Sequence, residues 1–190
     1  MITTSDFRKG LKLLHNGEPY IVLDYQHAKR AQRAAIVRTK MKNLLTGLVQ
    51  EFQFESGDKF DKPDLEYRDM QYLYSDGDLY HFMDQSSFDE IALSASQIEE
   101  IKDYLKEQTT YSVLYFESKP IAVTPPIFME LEVTDAPPGV KGDTAQGGGS
   151  KPVTVETGMV LQAPLFVDTG DIIKVDTREG KYVERLGKKK

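Results

Sequence analysis

Cysteine is absent from the 190 residues, which excludes disulfide staples, thiolate metal sites and a cysteine nucleophile together. Stability must come from packing. Histidine is scarce: His15, His27 and His81 stand in three separate strand contexts, with no His-Glu-x-x-His spacing and no serine elbow, so enzyme readings are weak and no metal or cofactor is expected. No stretch approaches the ~20 apolar residues of a membrane span. The opening Met1-Ile2-Thr3-Thr4-Ser5-Asp6-Phe7 has neither a basic leader nor an apolar signal core, so the cytoplasm is the expected location, without a membrane partner. What is present is apolar material: 39% hydrophobic residues, with ten Tyr and nine Phe, enough for packed cores.

A net charge of −6 argues mildly against nucleic acid until its distribution is considered. Between Tyr25 and Gln50 the chain carries Lys29, Arg30, Arg33, Arg38, Lys40 and Lys42 and no acid, one concentrated basic patch in an acidic protein. Such a patch reads as a phosphate-binding surface, and a solvated basic hairpin without a partner is the alternative that charge alone leaves open.

Short apolar runs bounded by turn residues predict strands at 19–24 and 48–54, and the aromatic runs flanking Asp76-Gly77 predict a β-hairpin over 69–83. One helix is expected over 96–105, with Ile98, Ile101 and Leu105 on one face and Ser96 and Glu99 at capping-box spacing. Seven further strands are expected at 111–117, 121–124, 127–133, 153–156, 159–163, 172–176 and 181–185. Strands at this spacing suggest small barrels. Boundaries near Lys62-Pro63-Asp64 and at Pro125-Pro126 delimit units 1–64, 65–127 and 128–190. Units of ~60 residues bury only ~60% of their unfolded surface, so packed interfaces between at least two of them are expected.

The segment from His27 to Ala35 contains strong helix formers, yet it lies between a strand ending near Tyr25 and the alternating run 36–42. A long hairpin with a basic tip fits that placement better. The glycine-rich stretch 139–152, carrying Lys141 and Lys151, lacks a Gly-Lys-Ser/Thr opening to a helix, so nucleotide hydrolysis is not indicated. An RNA-facing loop and a plain long turn both remain open. His27 can stack on RNA or make purely structural contacts, and Glu99-Glu100 read as solvated charge.

Three separated groups of residues then carry a resemblance. Phe7-Arg8-Lys9-Gly10, Tyr25-Gln26-His27 and Val37-Arg38-Thr39-Lys40-Met41-Lys42-Asn43-Leu44 form the first. Met70-Gln71-Tyr72-Leu73-Tyr74 through Asp76-Gly77-Asp78 to Phe82-Met83-Asp84 forms the second. The third runs from Pro138-Gly139-Val140-Lys141-Gly142-Asp143-Thr144 through Thr157-Gly158, Pro164-Leu165-Phe166 and Gly170-Asp171 to Lys174-Val175-Asp176-Thr177-Arg178. Together they resemble bacterial elongation factor P, homologous to the hypusine-bearing factor of eukaryotes and archaea.

The resemblance implies an all-β, L-shaped chain of three small β-barrel domains, a KOW or SH3-like domain followed by two OB-folds. It implies a monomeric translation factor that is not an enzyme. Such a factor binds the 70S ribosome between the P and E sites and relieves stalling at consecutive prolines by steadying the CCA end of the P-site peptidyl-tRNA. An elongation factor P-like paralogue with a different stalling-motif preference is the alternative. On this reading His27, Lys29, Arg30, Ala31, Gln32 and Arg33 face the peptidyl-transferase centre, while Arg38, Lys40 and Lys42 meet RNA backbone. Lys141, Gly142, Asp143 and Thr144 would face the E-site mRNA codon and the small subunit, joined by Tyr182 and Arg185 of a Tyr-x-x-Arg pattern, for which a packed Tyr and a surface Arg serve equally well.

The tip departs from the family. The resemblance implies, for most of the family, a modified Lys or Arg where ungapped counting from His27 to Val37 places Gln32, and the family's flanking glycines are replaced here by Ala31 and Arg33. Glutamine cannot accept lysine-type or rhamnose-type modification, so none is expected at Gln32. Either the tip works unmodified, with Arg30 and Arg33 supplying charge, or an adjacent arginine takes the modified role; the first is favoured.

Overall fold

The computed structural model describes residues 1–28, 35–138 and 149–188. The chain divides into two compact units, 1–68 with 113–122, and 69–112 with 123–190. Nearly all regular structure is strand.

In the N-terminal region β1 (Ile2–Thr3) is followed by β2 (Lys12–His15), β3 (Glu18–Ala28), β4 (Ile36–Asn43), β5 (Val49–Glu55) and β6 (Lys59–Phe60). β2 to β5 form a four-stranded antiparallel sheet in sequence order, and β1 pairs with β6. Period-two alternation decides which side chains enter the core: Val37, Thr39, Met41 and Asn43 of β4 are buried, whereas Arg38 and Lys40 are exposed. Val37 and Met41 join Leu13, Val22, Phe7, Phe54 and Phe60 in one apolar cluster. Asn43 closes the base of the β3–β4 arm, its Oδ1 accepting the N–H groups of Leu45 and Thr46 at 2.8 and 3.1 Å. Its Nδ2 donates to Glu18 at 2.7 Å, so the buried amide is satisfied on both sides.

The central region supplies β7 (Leu65–Ser75), β8 (Leu79–Asp84), β9 (Glu90–Ser94), β10 (Thr110–Phe116) and β11 (Lys119–Thr124), ordered β11-β10-β7-β8-β9 in one sheet. The expected hairpin is there, turning through Asp76-Gly77 with Gly77 at φ 110°, a conformation that favours glycine. The expected helix differs. Only Ala95–Ile98 (α1) is α-helical, and Glu99–Tyr104 continues as a 3₁₀ helix. Ile98, Ile101 and Tyr104 recur every three residues, which lines them up on one edge of a three-residue turn. The capping box is also two residues earlier than expected: the N–H of Ser94 donates to Gln97 Oε1 at 3.0 Å.

His81 on β8 is held from both sides. Its Nε2 lies 3.0 Å from Asp76 Oδ2, its Nδ1 lies 2.7 Å from Glu90 Oε1, and its ring stacks on Tyr74 with centroids 4.4 Å apart. Only the imidazolium donates from both nitrogens, so the hydrogen bond to Asp76 and then that to Glu90 raise the His81 pKa. Burial among Tyr20, Phe52, Phe54 and Phe60 lowers that of His15. A proton NMR titration is therefore expected to place the His81 midpoint above the ordinary ~6.5 and the His15 midpoint below it. The raised value means that the His81 contribution to stability is fully present below ~6.5 and is lost as pH rises through the folded midpoint. A His81→Gln variant should accordingly show a flatter stability profile on the alkaline side; an unchanged profile would contradict the charged state.

The C-terminal region contains β12 (Phe128–Asp135), β13 (Ser150–Val155), β14 (Val160–Pro164), β15 (Asp171–Asp176) and β16 (Lys181–Lys188), ordered β14-β13-β12-β15-β16. Leu131, Val133, Val153, Val155, Ile173 and Val175 fill its core. Lys151, grouped with the glycine-rich loop on sequence, belongs to β13 instead. It is only 5% exposed and stands opposite Ala163, with Nζ 3.7 Å from Asp168 at the rim. The alternation that buries Val153 and Val155 also turns Lys151 inward, leaving its ammonium near the carboxylate of Asp168. No helix among the described residues is long and apolar enough to cross a membrane.

Candidate nucleic-acid interface

The β3–β4 arm is antiparallel out to Ala28 opposite Ile36, as the two strands of the expected hairpin require; of the segment His27 to Ala35, where propensity alone favoured a helix, residues 29–34 lie outside the described residues. Lys29, Arg30, Ala31, Gln32 and Arg33 at its end lie outside the described residues. A bulge inserts Leu23 between Val22, opposite Met41, and Asp24, opposite Lys40. Directly opposed residues share a face of the sheet. Beyond the bulge, Gln26 therefore shares the solvent face with Arg38, whereas Tyr25 and His27 share the opposite face with Thr39 and Val37.

Arg38, Lys40 and Lys42 form a row along β4, and His27 points to the other side, exposed and edge-on to Tyr25 at 5.6 Å. Neighbouring strands give each cation of the row a different setting. Arg38 stands between Gln26 of β3 and Gln53 of β5; Lys40 stands between Asp24 and Glu51; Lys42 stands between Ile21 and Val49. Asp24 also pairs with Lys9 at 3.3 Å. A phosphate approaching Lys40 must thus approach two carboxylates, while one approaching Arg38 meets amide groups that can donate further hydrogen bonds. Gln26 and Gln53 went unrecognised in the sequence because their relation to Arg38 depends on cross-strand register. A shallow groove beside Gln26, Arg38, Lys40 and Glu51 runs over this face.

At the C-terminal region, Lys141, Gly142, Asp143 and Thr144 lie outside the described residues. Tyr182 stands opposite Val175 and packs on the core. Arg185 stands opposite Ile173, with its guanidinium 3.5 Å from the buried Asp171 carboxylate and 5.4 Å from the centroid of the Phe166 ring. Asp171 is further held by the N–H of Asp168 at 2.9 Å. Tyr182 is partly buried against the core, and Arg185 is anchored at one end with its side chain 44% exposed.

Family models match three consecutive stretches: an elongation factor P KOW-like domain at 3–60, an elongation factor P OB domain at 65–123 and an elongation factor P C-terminal region at 129–185. The chain is 48% identical over 186 residues to elongation factor P of Thermodesulfovibrio yellowstonii, covering 98% of this chain and 99% of that one. It is 50% identical to elongation factor P of Pelotomaculum thermopropionicum and 48% identical to that of Clostridioides difficile, in each case over 98% of this chain and all of the relative. Among solved structures, eukaryotic translation initiation factor 5A from Methanococcus jannaschii shares the fold at a TM-score of 0.55 and 18% identity, over 65% of this chain and 93% of that one. With three consecutive family models matched along the chain and elongation factor P relatives about half identical over 98% of it, the protein belongs to the elongation factor P family of translation elongation factors.

Proposed function

We propose that this translation factor binds the 70S ribosome between the P and E sites as a cytoplasmic monomer and accelerates slow peptide-bond formation, above all at consecutive prolines. On this reading its sequence comprises three successive domains, 1–64, 65–127 and 128–190. The β3–β4 arm carries the reading, because its two faces present different chemistry: a cationic row on one side and His27 beside Tyr25 on the other. A finger with polar groups on both faces suits insertion between two RNA surfaces, with Arg38 on backbone phosphate and His27 beside unstacked bases or ribose.

Arg30, Gln32 and Arg33 then steady the CCA end of the P-site tRNA without modification. The ribosome supplies the chemistry, and the factor populates the reactive geometry more often. Each tenfold gain in rate requires only ~1.4 kcal/mol, within reach of one or two charge-assisted contacts. Lys141, Gly142, Asp143 and Thr144 face the E-site codon, and Arg185 meets the small subunit.

Replacing Arg30 and Arg33 together by Ala is expected to lower rescue of a consecutive-proline reporter roughly tenfold, with unfolding midpoints unchanged. Intact-mass measurement and peptide mapping over 29–38 should find no added mass. Undiminished rescue would remove the basic tip from the mechanism, and added mass on either arginine would replace the unmodified tip with a modified one. Gln32 also motivates a second reading, an elongation factor P-like paralogue with another stalling-motif preference, which translation profiling of a deletion strain separates from the first.

A further inference from the structure

At the end of the 3₁₀ helix, ahead of β10, the chain forms a short strap, Tyr104-Leu105-Lys106, that touches the C-terminal region at two separate points. Tyr104 packs against the C-terminal core, and its hydroxyl lies 3.1 Å from where a Cβ on Gly180 would stand. Gly180 has φ 65°, so the turn between β15 and β16 both favours glycine and leaves room for the phenol. Two residues on, Lys106 Nζ donates to the Glu130 carbonyl at 2.8 Å and pairs with Glu156 Oε1 at 3.0 Å. The same Glu156 oxygen accepts the N–H of Glu132 at 2.9 Å, so the ammonium joins a network spanning β12 and the β13–β14 turn.

The strap is also secured from the central side. The fully buried Tyr111 donates its hydroxyl to the Tyr104 carbonyl at 2.5 Å and accepts the Lys106 N–H at 2.9 Å. The covalent link is pinned as well: the Thr177 hydroxyl donates to the Pro126 carbonyl at 2.7 Å, and the Thr177 N–H donates to the Ile127 carbonyl at 2.9 Å. An aromatic wedge, an ammonium clamp and a fastened linker thus act at three different places.

We infer that Tyr104 and Lys106, with Gly180, are positioning residues that fasten the central and C-terminal regions into one body. This rests on the ribosomal reading above: a factor that must engage the ribosome at more than one place keeps a high effective concentration for each further contact only if those contacts are held at a set separation. Neither residue touches RNA in this role. They act through the orientation of the C-terminal sheet.

The test compares the full-length parent with Tyr104→Ala/Lys106→Met by backbone residual dipolar couplings, alongside peptidyl transfer on stalled ribosomes. In the parent, amides of β8 and β9 and amides of β12 and β15 are expected to fit one alignment tensor. In the double variant they are expected to need two, while the factor concentration for half-maximal stimulation rises roughly tenfold and the saturating rate is kept. Lys106→Arg on an otherwise intact strap should restore both readouts, since a guanidinium can pair with Glu156 and donate to Glu130. If the double variant does not fold, Gly180→Ala, whose Cβ crowds the Tyr104 hydroxyl, serves in its place. A single tensor in the loosened variants would overturn the proposal, as would two tensors with unmoved half-saturation. A parent without any stimulation would overturn the ribosomal reading instead, and the tensor comparison would still decide whether the strap holds the two regions together.

Discussion

Arg38→Gln is expected to weaken ribosome binding about tenfold, about 1.4 kcal/mol, and to reduce the dependence of log affinity on log salt by about one phosphate contact. Lys40→Gln, an identical change in net charge two residues away, is expected to cost markedly less. The difference comes from neighbours. Arg38 is bracketed by Gln26 and Gln53, so a phosphate docking there meets a cation and two amides. Lys40 is bracketed by Asp24 and Glu51, and a phosphate docking there loses to carboxylate repulsion much of what the ammonium gains. Co-sedimentation at several salt concentrations checks both variants. Equal losses would show that the total charge of the arm, rather than the placement of each side chain, governs binding.

The largest effect on stability is expected from Phe82→Ala, a loss of about 3–5 kcal/mol. Phe82 is fully buried on β8, its ring 5.2 Å from that of Tyr72 and 5.8 Å from that of Tyr111, the latter at a right angle. Truncation removes the transfer free energy of the ring and both aromatic contacts, and it leaves a cavity that neighbouring strands cannot close without breaking their ladder. Phe82→Leu keeps most of the volume and should cost far less. Urea unfolding followed by far-UV circular dichroism suits this protein, which has no tryptophan to report on its cores. A loss of unfolding free energy of less than about 1 kcal/mol in Phe82→Ala would mean that the central core repacks more freely than its geometry indicates.

Much of this fold is legible in the sequence because strand alternation is local. The buried Val37, Thr39 and Met41 and the exposed Arg38 and Lys40 follow directly from period two, and Asp76-Gly77 marks its hairpin by turn chemistry. The helical stretch was harder to read. Ile98, Ile101 and Leu105 suit an α-helical face, but Ile98, Ile101 and Tyr104 suit a three-residue turn equally well, and packing decides between them. Lys151 was misplaced because glycine and proline nearby suggest a loop, whereas the inward alternation of β13 depends on where the strand begins. The candidate site was legible as a charge cluster and as a resemblance, but not as an arrangement. Which cation stands beside amides and which beside acids depends on pairings with β3 and β5, and those depend on one extra residue, Leu23, that no local pattern announces.

That extra residue constrains how the arm can change in evolution. Beyond Leu23 every side chain on β3 keeps its side of the arm only while the spacing to the bulge stays even or odd as it is now. Removing the single residue between Asp24 and Gln26 would carry Gln26 to the face Tyr25 now holds, bring His27 opposite Arg38, and take from the core the Tyr25 ring packed against it. Adding two residues to each strand would lengthen the reach by about 6.6 Å and preserve both surfaces. Insertions and deletions tolerated in this arm should therefore come in pairs, making its length a quantity that lineages can adjust only in steps.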